Sequence, residues 1–74
     1  MKMDFAEKMR LFYEMCYQLE YGADIIAVIN NAEPGSYESN PIIDEYAQTG
    51  YKLIDANMFG NEKERGEIFI FKPL

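Results

Sequence analysis

The sequence contains no histidine and no tryptophan, and one cysteine among its 74 residues. Without histidine, the side chain most used for general acid–base chemistry near neutral pH is missing. Cys16 has no partner for an internal disulfide, and nothing in the chain has zinc-ligand spacing. Paired cysteines are the usual staple of small secreted domains, so their absence points to a reducing interior. Basic residues are also scarce: seven Lys and Arg against thirteen Asp and Glu give a formal net charge of −6. That balance makes non-specific binding to nucleic acid or to an anionic membrane unfavourable. No run approaches the roughly 20 apolar residues of a spanning helix. Glu7, Lys8, Arg10 and Glu14 break the first apolar stretch, which no signal peptide would tolerate. The expectation is a soluble, cytoplasmic chain with no membrane or direct nucleic-acid partner.

What is present is a globular composition, 49% hydrophobic and 15% aromatic, in a length that makes a single domain over 1–74. Residues 4–21 read as an amphipathic helix. Asp4 can cap it, with Glu7 three residues on at capping-box spacing, and Gly22 is its left-handed stop. Phe5, Met9, Phe12, Cys16 and Leu19 recur at spacings of four and three and form an apolar seam. In that seam Cys16 reads as a small buried hydrophobe rather than a nucleophile. Met15, Ala6, Tyr13 and Tyr17 widen the arc, as suits a helix touching two surfaces.

Residues 24–29 are a β-branched apolar run and read as a buried strand. A loop follows over 30–40, turning at Pro34-Gly35. Asn40-Pro41 opens a second helix over 41–49, with Asn as cap and Pro at the first helical position. Strands over 51–58 and 67–72 flank a charged turn running from Gly60 to Gly66. In the last strand Ile68 and Ile70 point to one face while Phe69 and Phe71 point to the other. Only a strand covered on both sides wants that pattern, and either the first helix or a second copy must supply the cover. The predicted architecture is therefore α+β, a helix followed by β-α-β-β, with sheet order 1-3-2 and the last strand central.

The run Ile42-Ile43-Asp44-Glu45-Tyr46-Ala47-Gln48-Thr49-Gly50-Tyr51-Lys52-Leu53-Ile54, with Gly66-Glu67-Ile68-Phe69-Ile70-Phe71 after a charged turn, resembles a family of very small bacterial and phage proteins. That family is catalogued as a domain of unknown function. Its pattern is a short helix ending in Gly, then Trp or Tyr, a variable residue and an aliphatic that begin a strand. The resemblance covers residues 23–74, and the N-terminal helix is an addition to the family's core. It implies a β-α-β-β fold, no known chemistry and, for a phage-encoded member, the host cytoplasm.

No catalytic, metal or cofactor-binding residue is expected. The acid pairs Asp44-Glu45 and Glu62 with Glu64 suit a solvated surface, and the isolated glycines make no phosphate cradle. Tyr13, Tyr17 and Tyr21 step along one helix flank at i, i+4 and i+8, and tyrosine is enriched at binding hot spots. Tyr37, on the long loop, is the next partner-binding candidate. The bland alternative is that these rings rim the core. The functional expectation is a small non-enzymatic protein that acts through contacts with a partner protein or with itself. A phage or mobile-element accessory factor that inhibits or modulates a host system is the model. The alternative is a homo-oligomer binding a nucleotide-like small molecule in pockets between subunits. A third reading is a structural subunit or an acidic decoy.

Overall fold

The computed structural model describes residues 4–22, 24–30, 40–60 and 65–74. The elements run in the order α1 (Phe5–Tyr21), β1 (Ile26–Asn30), α2 (Pro41–Gln48), β2 (Tyr51–Gly60) and β3 (Arg65–Pro73). The strands form a three-stranded sheet of order β1-β3-β2. β3 is antiparallel to both neighbours. The α+β architecture and the central last strand are as the sequence predicts.

Local chemistry sets the helix ends. Asp4 accepts from the Glu7 N–H at 2.8 Å, which is half of a capping box. The other half is missing because the Glu7 carboxylate turns to Arg10 instead. Gly22 adopts φ 60° and donates to the Gln18 carbonyl at 2.8 Å, closing α1. At α2, the Asn40 side chain accepts from the Ile42 N–H at 2.9 Å, with Pro41 in the first turn.

The strands are shifted or longer than the sequence reading gives. β1 covers 26–30 rather than 24–29, because its register against β3 carries through to Asn30 opposite Glu67. β2 and β3 continue to Gly60 and back to Arg65, so Gly60, Arg65 and Gly66 belong to the hairpin's strands rather than to a turn. Residues 61–64 of that predicted turn lie outside the described residues. Gly66 is buried where a Cβ would meet the Phe59 ring at 2.9 Å and the Asn30 carbonyl at 3.2 Å. The close approach of both neighbouring strands favours glycine there.

Directly opposed residues of an antiparallel pair share a face. Ile29, Ile68 and Asn57 therefore lie on one face, and Val28, Phe69 and Ala56 on the other. On the first face Ile25, Ala27, Phe59, Ile68 and Ile70 form the core, against which Phe5, Ala6, Met9, Tyr13 and Tyr17 of α1 pack. On the second, Tyr46 of α2 stacks on Phe71 with centroids 4.6 Å apart. A register shift between Leu53 and Asp55 marks a β-bulge in β2. It lets Ile54 pack into the α1-side core while the adjacent Asp55 reaches Tyr17.

Ile68, Phe69, Ile70 and Phe71 are each 0% exposed within one chain. Burial of such side chains is worth roughly 1.5–3 kcal/mol each. A single copy keeps the central strand dry, so a second copy is not needed for that purpose. Any case for association must rest on another surface.

A polar node ties the layers together. Asn30, Asn40 and Glu67 are all buried. Asn30 Nδ2 donates to Glu67 Oε1 at 3.3 Å, and Asn40 Nδ2 donates to Asn30 Oδ1 at 2.7 Å. The node joins β1, β3 and the cap of α2. Buried polar groups are tolerable only when bonded in this way.

Candidate partner-binding surface

α1 presents three faces, and only one is spent on the core. Its inner face is the Phe5, Ala6, Met9, Tyr13, Tyr17 set described above. A second face carries Glu7, Arg10, Glu14 and Gln18. Arg10 Nη1 donates to the Ala27 carbonyl at 3.2 Å, and the Ala27 N–H donates to Glu14 Oε2 at 3.0 Å. Gln18 Nε2 donates to the Ile25 carbonyl at 3.1 Å. Alternate strand residues turn their peptide groups to the same edge. These side chains, spaced one helical turn apart, thus bind the outer edge of β1 and of Ile25 just before it as a neighbouring strand would. Arg10 is itself held between Glu7 and Glu14, at 2.6 and 2.9 Å. Its guanidinium is pushed further up from its ordinary value, first by the hydrogen bond to Glu7.

The third face is apolar and open. Phe12, Met15 and Leu19 are 59%, 62% and 83% exposed, and Cys16 among them is exposed as well. Two sequence expectations are corrected here. The seam Phe5, Met9, Phe12, Cys16, Leu19 is not the buried one: it shares Phe5 and Met9 with the core face, but its remaining members face solvent. Cys16 is accordingly not a buried hydrophobe. The helix is rotated so that Arg10, Glu14 and Gln18 reach β1, and that rotation brings Tyr13 and Tyr17 inward.

The tyrosine flank is divided by the same rotation. Tyr13 and Tyr17 are half-buried against the core. Tyr13 also meets Phe12 edge-on, with centroids 5.8 Å apart. The Tyr17 hydroxyl donates to Asp55 Oδ2 and accepts from Asn57 Nδ2, the latter at 3.1 Å. The Asp55 carboxylate raises the Tyr17 phenol above its ordinary value, and burial adds to the effect, while Asn57 opposes it. Tyr21 is exposed, stacks on Tyr17 with centroids 6.0 Å apart, and has Lys72 Nζ 5.8 Å from its ring centre. Tyr37 lies outside the described residues, and of the other three predicted residues two, Tyr13 and Tyr17, lie against the core and only Tyr21 is exposed. Sequence reasoning missed the edge-binding set Arg10, Glu14, Gln18, whose i, i+4, i+8 spacing was the available signal.

Among the described residues no group of His, Cys, Asp or Glu is placed to hold a metal ion. Among them, too, no helix is long and apolar enough to cross a membrane. A hollow lined by Glu45, Tyr46 and Thr49 holds about 250 Å³, below the roughly 300–1,000 Å³ of small-molecule sites. Comparison of the chain with protein-family models, with curated proteins and with solved structures gives no match.

Proposed function

We propose that this protein works by binding protein, and that the outer face of α1 is the contact surface. Single exposed hydrophobes are normal on any soluble domain. Here Phe12, Met15, Cys16 and Leu19 stand at i, i+3, i+4 and i+7 on successive turns, and all are exposed. That spacing is the signature of a helix laid by its apolar face against an apolar surface of a partner. The same helix already completes its core and its edge contacts with other residues, so this face is surplus to the fold. The observation that carries the reading is the coexistence of a filled inner face and a bare outer one on one helix.

The test replaces two residues that lie outside the core. Phe12→Ser/Leu19→Ser should keep the parent's circular dichroism spectrum and a cooperative melt, losing about 1–2 kcal/mol with the Phe12–Tyr13 edge contact and the weaker helix formers. Immobilised parent protein should retain a partner from an extract of its source cells that the double variant does not. Equal retention by both, or unfolding of the variant, overturns the assignment of this face.

A further inference from the structure

We propose that the occupant of this face is the same face of a second copy, with the two α1 helices lying antiparallel across a two-fold axis. This inference rests on the protein-binding reading above and names its partner. Lys8 stands in line with the stripe at its N-terminal end, and Glu20 stands beside its C-terminal end; both are exposed. Neither takes part in an ion pair among the described residues. Antiparallel pairing about a point between Phe12 and Cys16 sets each Lys8 against Leu19 and Glu20 of the other copy. The long methylenes of Lys8 then cover Leu19 while its ammonium meets the carboxylate. Parallel pairing would instead oppose Lys8 to Lys8 and Glu20 to Glu20.

The shapes agree with the charges. In the antiparallel arrangement Phe12 falls opposite Met15 and Cys16, and the small thiol side chain leaves space for the ring. A two-fold contact uses one patch on both subunits, so such self-matching is what it needs. Strand-edge association is obstructed in this fold. The outer edge of β1 is occupied by Arg10, Glu14 and Gln18. The edge of β2 is interrupted by its bulge, with Lys52 and Asp55 exposed on either side of it. Bulges and edge charges are how sheets avoid strand pairing. From Lys8 to Glu20 the helix is about 18 Å long, so the contact is short, as suits an association that depends on concentration.

Sedimentation equilibrium of the full chain, from low micromolar to millimolar, tests this directly. The average mass should rise with concentration from 8.6 kDa toward twice that value. Leu19→Glu should hold it at the monomer mass throughout. Lys8→Glu and Glu20→Lys should each weaken the dimer roughly fivefold to tenfold, and combining the two should restore it. A dimer indifferent to Leu19→Glu, or a charge-exchanged double variant no tighter than the singles, overturns the antiparallel helix pair. A parent that stays monomeric while still retaining a partner through Phe12 and Leu19 overturns this inference and leaves the protein-binding reading standing. Monomer together with no such retention removes both.

Discussion

Removing only the hydroxyl of Tyr17, as Tyr17→Phe does, leaves its ring against the core and deletes its bonds to Asp55 and Asn57. A net hydrogen bond contributes about 0.5–1.5 kcal/mol, and this pair is partly solvated, so the lower end applies. The pH dependence has a definite sign. The folded phenol holds its proton more tightly than the ordinary tyrosine value of 10.0. Its contribution is therefore whole below that pH and fades as pH rises through the folded value. Urea melts of parent and variant should differ near neutrality and converge in strong base; a gap that widens with pH would contradict this. The roles of single residues were only partly legible. Asp4, Gly22, Asn40 and Pro41 act where the sequence puts them, because capping needs only neighbours in the chain. The buried node of Asn30, Asn40 and Glu67 was hidden, because its members meet only after β1 and β3 are paired.

At the scale of the element, α1 explains the main misreading. Apolar residues cover so much of its circumference that periodicity alone allows more than one buried seam. The rotation is chosen by Arg10, Glu14 and Gln18, whose targets are the peptide groups of Ile25 and Ala27; their i, i+4, i+8 row shows in the sequence, but not that it faces an edge strand's unfilled bonds. Glu14→Ala tests how much that choice is worth. It leaves the Ala27 N–H without its acceptor and Arg10 without one of its two carboxylates. Stability should fall by about 1–2 kcal/mol, and light scattering on storage should rise as the β1 edge becomes available. Unchanged stability and scattering would mean that water replaces Glu14 without loss.

For the whole molecule, the topology was the most legible feature, and one strand carried it. Ile68, Phe69, Ile70 and Phe71 fill consecutive positions, and only a central place in the sheet hides both faces. Short connections then leave few ways to arrange the rest. What the sequence did not disclose is how completely one chain covers that strand, because the cover depends on how helices of this length lie over the sheet.

α1 is thus a roof over Ile68 and Ile70 and also a guard rail along β1, and both functions are lost together. Deleting the first 22 residues should therefore yield neither a smaller domain nor a dispersed coil. The bared strand and wetted isoleucines would template one another, and such a fragment should accumulate as thioflavin-positive cross-β fibrils, at concentrations where the intact chain stays clear. A fragment that remains soluble and folded would show that the remaining elements can close the sheet unaided.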